Sequence, residues 1–242
     1  LQLPAGKDAP IPASEIISFD LLDNAQPLQI DFKEQRENIK LVKVNGKDVP
    51  VVFEKEHIII APDHLTSGRN QVQIDFTAGN LSLNRNEDFL YTLLVPDRAR
   101  TVFPCFDQPD IKAVYKLSLT LPQHWKALAN APLQDSVLTG NSKTYNYFPS
   151  DTIPTYLFSF VAGDFSKVTN TDRGRTMHLY HRETDQDKLK SIDPIFSIHR
   201  DALAFMEDYT AIPYPFQKFD FVAIPDFQYG GMEHVGAIDY KA

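Results

Sequence analysis

The residues best suited to chemistry stand close together at Gly230-Gly231-Met232-Glu233-His234. Two adjacent glycines let a backbone approach another chain with no Cβ in the way. A carboxylate beside such an edge can hold an ammonium group through charge-assisted hydrogen bonds. Taken alone, the same five residues also read as a glycine turn carrying an exposed Glu. Phe103-Pro104-Cys105-Phe106-Asp107-Gln108-Pro109-Asp110 forms a second concentration of unusual residues. Its cysteine lies between two phenylalanines with no basic neighbour, the setting of a small buried hydrophobe and not of a thiolate nucleophile. His178 and His181 are three apart in a predicted strand, so they face opposite sides and share no metal. No His-Glu dipeptide occurs, which excludes a His-Glu-x-x-His zinc motif from these residues. Neither a Gly-x-Ser-x-Gly elbow nor a phosphate-cradling Gly-x-x-x-x-Gly-Lys is present. Cys105 is the single cysteine, so an internal disulfide and a cysteine-cluster zinc site are excluded.

The elements that must position these residues are mostly strands. Residues 14–22, 29–32, 39–44, 49–53, 57–61, 71–77, 89–95, 113–121, 143–148, 155–162 and 176–181 have strand character, and turn signals separate many of them. Asn45-Gly46 between two such runs is a strong hairpin signal, because both residues tolerate positive φ. Together these runs predict an antiparallel sandwich or sheet assembly. The texture changes near residue 184. Ile192, Ile195, Phe196, Ala202, Leu203, Met206 and Tyr209 keep helical spacing, with Asp193-Pro194 as the expected cap and first helical position. A proline-rich loop and a strand over residues 218–224 follow. The expected division is a β domain over residues 1–183 and the α/β opening of a second domain over residues 184–242.

Composition narrows the classes of function. The 242 residues include 24 Lys and Arg against 32 Asp and Glu, a formal charge of −8. That balance argues against nucleic acid as a partner, which needs a basic face. Hydrophobic residues at 43% and charged residues at 23% are globular values, so a wholly disordered chain is excluded. No apolar run approaches the roughly 18 residues of a membrane span. The chain starts at Leu1 without a basic-then-apolar leader. With one cysteine, this leans toward an exported or periplasmic bacterial protein.

Two stretches taken together resemble one family. Leu90-Tyr91-Thr92 to Pro96, Ala99-Arg100 and the Phe103 to Asp110 loop resemble the N-terminal domain of the aminopeptidase N family of zinc metallopeptidases. Ile212-Pro213-Tyr214-Pro215, Val222-Ala223-Ile224-Pro225-Asp226-Phe227 and Gly230-Gly231-Met232-Glu233 resemble that family's approach to its Gly-x-Met-Glu-Asn exopeptidase motif. The resemblance covers residues 85–242 well and the first 80 only in strand character. It implies a mainly β fold: a saddle-like antiparallel β-sandwich followed by the start of a thermolysin-like catalytic domain.

The resemblance also implies a role for this chain. The parent would remove amino-terminal residues from peptides. Its zinc would activate a water, and the glutamate of its zinc helix would serve as general base. Glu233 would hold the substrate's α-ammonium, while Gly230, Gly231 and Met232 would lie along the substrate backbone as an edge-strand partner. The zinc ligands would come from sequence beyond Ala242, so the chain reads as a truncated piece of the parent, expected to bind no zinc and to be inactive alone. Its expected partners are a peptide N-terminus and the catalytic and C-terminal domains of the same chain. Two departures stand out. His234 replaces the motif's Asn, and Leu93 and Val95 are apolar where family members commonly carry Gln or His and an amine-binding Glu. The apolar pair favours one alternative, a non-catalytic relative acting as a protein-interaction module. A free-standing β-sandwich that binds sugar or peptide is another.

Overall fold

The computed structural model describes residues 1–172 and 174–242. The chain opens with β1 (Pro12–Leu21), β2 (Leu28–Asp31), β3 (Ile39–Val44), β4 (Lys47–Asp48), β5 (Val52–Glu54), β6 (His57–Ile60) and β7 (Gly68–Thr77). It continues through β8 (Leu83–Arg85), β9 (Phe89–Thr92), β10 (Ser118–Pro122), β11 (Lys126–Ala129), β12 (Leu133–Thr139), β13 (Ser142–Tyr147) and β14 (Phe160–Gly163). The last segment holds β15 (Ser166–Asp172), β16 (Arg175–His181), α1 (Gln186–Leu189), α2 (Ile192–Thr210), β17 (Asp220–Ile224), β18 (Gly231–Met232) and β19 (Ala237–Lys241).

Four sheets are antiparallel throughout: β1-β7-β3-β4, β2-β6-β5, β10-β13-β12 and β11-β14-β9-β8. The fold is thus mainly β, as the strand pattern predicts. The fifth sheet, β15-β16-β17-β19-β18, is mixed, because β17 runs parallel to both β16 and β19. Helix α2 connects β16 to β17, the βαβ connection that a parallel pair requires. Strands from both sides of residue 184 therefore share one sheet.

The sheet β11-β14-β9-β8 is the structural centre. Its strands β9 and β14 are buried at every position. Side chains alternate across a strand, so one face sends Leu90, Ala127, Ala129, Phe160 and Ala162 into the large core of the β region. The opposite face sends Phe89, Tyr91, Leu128 and Val161 into a second cluster with Val222, Ile224, Met232 and Ala237 of the mixed sheet and Phe227 of the loop between β17 and β18. A third cluster packs Phe196 of α2 on Phe221, with ring centroids 5.5 Å apart.

Some local expectations shift. The Asn45-Gly46 turn forms, with φ of 50° and 80°, but its return strand is Lys47–Asp48 and not residues 49–53. Val49 still donates to Val42, and then Pro50, which has no N–H, ends the ladder. Val52–Glu54 pairs instead with β6 in another sheet. Residues 155–162 are not one strand: Thr155–Leu157 is a 3-10 turn, and only Phe160–Gly163 is extended there. Helix α2 begins at Ile192, before the expected Asp193-Pro194 cap, because Ser191 is already helical and accepts from the Ile195 amide. Strand β12 escapes the sequence pattern because all seven of its residues are exposed, so burial imposes no alternation.

Gly163 offers a direct check on the central sheet. A Cβ there would lie 2.4 Å from the Cβ of Phe89 and 2.6 Å from the Asp88 carbonyl. Gly163→Ala is expected to destabilise the fold by about 1–3 kcal/mol, the scale of core overpacking. A denaturant or thermal melt of the purified variant measures this, and an unchanged midpoint contradicts the close packing described.

Candidate functional site

The local sequence explains why residues 225–236 form an exposed loop ending on a sheet edge. Pro225 follows β17 directly, and the Phe227 amide turns back onto the Ile224 carbonyl. Phe227 is fully buried and lies 5.4 Å from the ring of Tyr91. The Tyr91 hydroxyl donates to the Asp226 carbonyl at 3.1 Å. Burial, together with Asp239 and Asp226, pushes that phenol up to about 12, so it remains a donor at neutral pH. Gln228 Nε2 donates to Asn84 Oδ1 at 2.8 Å. Strands β8 and β9 thus hold the loop from beneath.

β18 then pairs antiparallel with β19, Gly231 opposite Tyr240 and Met232 opposite Asp239. β18 is the last strand of its sheet, so its outer edge has no ladder partner among the described residues. Gly230 and Gly231 are exposed, and Met232 points into the second core cluster. A Cβ on Gly230 would meet nothing within 4 Å, whereas one on Gly231 would press on the Tyr240 ring at 3.1 Å. Glu233 is exposed and has no hydrogen-bond or ion-pair partner among the described residues. The four motif residues are therefore brought together as an edge strand that ends in an unengaged carboxylate.

The two departures from the motif have structural consequences. Leu93 is buried, and Val95 packs beside it in the same cluster as Met232. Their apolar character completes the packing beneath the motif strand. His234 and Asp239 are both fully buried, with Nδ1 and Oδ2 3.3 Å apart. That approach does not meet hydrogen-bond geometry, so the polar atoms of both are without hydrogen-bond partners among the described residues. Burial raises the Asp239 carboxyl above the usual range against the opposing pull of His234.

Asn130 joins the motif's far end to the β region. Its Nδ2 donates to Leu157 and Val235 carbonyls, both at 2.9 Å, and its Oδ1 accepts from the Ser159 amide at 2.7 Å. Gly236 has a φ of +68°, and a Cβ there would lie 2.4 Å from the Asn130 carbonyl. Sequence reading misses Asn130, which lies 105 positions from Val235. It also misses Asp239, although a carboxylate alternating with apolar residues in Ala237-Ile238-Asp239-Tyr240 was a visible signal.

The other concentration of residues is structural. Asp31 accepts from the Asp107 amide at 2.9 Å and from Gln108 at 3.1 Å, and it pairs with His57 at 3.1 Å. Asp107 accepts from Thr155 at 2.6 Å and from the Arg100 amide at 3.0 Å. Cys105 is buried, and burial first, then Asp107, Glu15 and Asp31, raise its thiol well above the ordinary value. It is a packed thiol, as its phenylalanine neighbours predict. His178 accepts or donates at Thr169 Oγ1, 3.0 Å away, while His181 is buried. Among the described residues, no three His, Cys, Asp or Glu side chains converge to hold a metal.

Comparison with known proteins matches residues 19–157 to the Peptidase M1 N-terminal domain and residues 194–242 to the Peptidase family M1 domain. The chain is 37% identical over 153 residues to "Aminopeptidase M1" of Arabidopsis thaliana, covering 62% of this chain and 17% of that protein. It is 31% identical over 204 residues to "Endoplasmic reticulum aminopeptidase 1" of Homo sapiens, covering 78% and 21%. With "Glutamyl aminopeptidase" of Rattus norvegicus it is 34% identical over 251 aligned positions, covering 93% and 26%. The chain thus spans about a quarter or less of the length of these relatives.

Two substitutions probe the site's support. Asn130→Ala leaves two buried carbonyls and one amide without their partner. It is expected to cost about 2–4 kcal/mol, measured by denaturant unfolding. The second uses Asp239, whose folded pKa is raised. Its contribution to stability is fully present below about pH 3.9, the unfolded Asp value, and is lost as pH rises through the folded value. Asp239→Asn cannot ionise, so it is expected to raise Tm at pH 7 by about 2–4 °C and to change it little near pH 3.5. Equal shifts at both pH values contradict the assignment.

Proposed function

The chain belongs to the M1 peptidase family, and on that premise we propose that it forms the part of an aminopeptidase that receives a peptide's amino terminus. The observation that carries this reading is the open edge of β18 with the unengaged Glu233 at its end. An extended peptide can add to such an edge through main-chain hydrogen bonds. The glycines at 230 and 231 keep side chains from standing between the two backbones. The Glu233 carboxylate then accepts from the peptide's α-ammonium, which sets the register at one residue from the end. Leu93 and Val95 lie in the apolar cluster and supply no second carboxylate. Glu233 therefore carries the amine contact alone among the motif positions.

The resemblance implies zinc, but no donor set for it exists among the described residues. We propose that these 242 residues by themselves neither bind zinc nor hydrolyse peptides. The apolar pair at Leu93 and Val95 favours a second reading, a non-catalytic relative that captures peptide or protein termini without cleaving them. Both readings give Glu233 the same ammonium contact and differ only in turnover.

The test uses the protein carrying its complete peptidase domain, with amino-acid anilides and their N-acetylated counterparts as substrates. Glu233→Gln is expected to lower kcat/KM by about 30- to 1000-fold, the scale of 2–4 kcal/mol for a charge-assisted contact. Acetylated substrates should not be cleaved. Unchanged kcat/KM in the variant removes Glu233 from amine recognition. Peptide binding without turnover in the unmodified protein selects the non-catalytic reading.

A further inference from the structure

A cleft of about 670 Å³ opens between β11, β13 and the mixed sheet, and none of Gly230, Gly231, Met232 or Glu233 lines it. That volume lies in the range of small-molecule sites. Its walls include Lys126, Lys167, Arg175, Lys218 and His178, with Asp220 as the one carboxylate among the lining residues. Lys218 is ion-paired with Asp220 at 3.1 Å and also donates to the Gly236 carbonyl. Arg175 is paired with Glu207 at 2.7 Å. Lys126 donates only to the Phe165 carbonyl, and Lys167 stands 5.5 Å over the Tyr180 ring. These last two lysines have no carboxylate partner among the described residues. Two lysines without an ion-pair partner among the described residues thus line one cleft, in a chain whose net charge is −8, and only the field of Asp220 offsets Lys167.

The floor and walls are aromatic. Tyr147 lines the cleft, is 3% exposed, and its hydroxyl has no hydrogen-bond partner among the described residues. That hydroxyl lies beneath the cleft surface, so the tyrosine meets the cleft through its ring. Tyr145 and Tyr180 flank it, and Tyr214 and Phe219 extend the aromatic wall. Burial, with Lys167 and Lys218 nearby, lowers the His178 imidazole despite Asp220. Four cationic side chains against one carboxylate line the cleft, a balance that favours an anion.

We propose that this cleft binds a phosphate monoester whose phosphate lies between Lys126 and Lys167 and whose apolar or aromatic body packs on the tyrosines. A dianion matches the two unpaired lysines, and the aromatic walls suit a flat substituent more than a bare ion.

Isothermal titration of the purified protein with phenyl phosphate, benzoate, inorganic phosphate and phenol tests this, with His178 followed by NMR. Phenyl phosphate is expected to bind one to one, at least tenfold more tightly than benzoate or inorganic phosphate, and to shift the His178 resonances. Lys167→Gln, at an exposed position that leaves the fold intact, should weaken it at least tenfold. Lys40→Gln, on a distant strand, should change nothing. No binding, phenol binding as tightly as phenyl phosphate, or equal losses in Lys167→Gln and Lys40→Gln each overturn the proposal. Tighter benzoate than phenyl phosphate overturns the phosphate assignment and points to a carboxylate.

Discussion

The structure depends on one sheet being buried on both faces. β11-β14-β9-β8 separates the core of the β region from the cluster beneath the motif strand. Its strands must be apolar at odd and even positions alike, which Phe89-Leu90-Tyr91 and Phe160-Val161-Ala162 satisfy. Burying both faces removes more apolar surface from water than a half-exposed sheet does, at roughly 25 cal/mol per Å². It also makes the position of the mixed sheet a consequence of the β region's own packing. Met232 and Leu93 meet in the same cluster, so motif and support are packed as one body.

That shared core leaves the polar connections to set the orientation. Asn130 reaches three backbone groups in two segments, and the Tyr91 hydroxyl holds the loop before Gly230. Both are buried and bonded, so each lost contact leaves a desolvated group behind. The His234–Asp239 pair is the opposite case, buried with its polar atoms unsatisfied. A low-dielectric setting makes that pair a source of strain next to the open edge of β18. The loop from Phe103 to Asp110, which carries much of the family resemblance, is bound up in the Asp31 and Asp107 networks and serves the fold, not the chemistry.

Most strands were legible because one of their faces is buried and the other is not. β1 and β7 show this alternation along ten paired residues. The long helix was legible from the spacing of Ile192, Ile195, Phe196 and Leu203, all of which meet the sheet. β12 was not, since an exposed edge strand places no demand on side-chain polarity. The return of the Asn45-Gly46 hairpin was misjudged because apolar residues 49–53 suited either partner, and only the missing N–H of Pro50 decided between sheets. Of the site, Gly230 to Glu233 stood out as a local string, whereas Asn130 and the cleft lysines are scattered over more than 90 residues.

The sequence by itself determined the mainly β class, the helix, the family resemblance and the Gly230 to Glu233 string, because each is written in neighbouring residues or in a fixed period. Only the tertiary structure decided that Gly231–Met232 is an open edge, that His234 faces Asp239, and that Lys126 and Lys167 share one cleft. Those facts rest on which strands lie side by side. Strand pairing is set by the burial of both faces of the central sheet, a property of the whole chain that no short stretch contains.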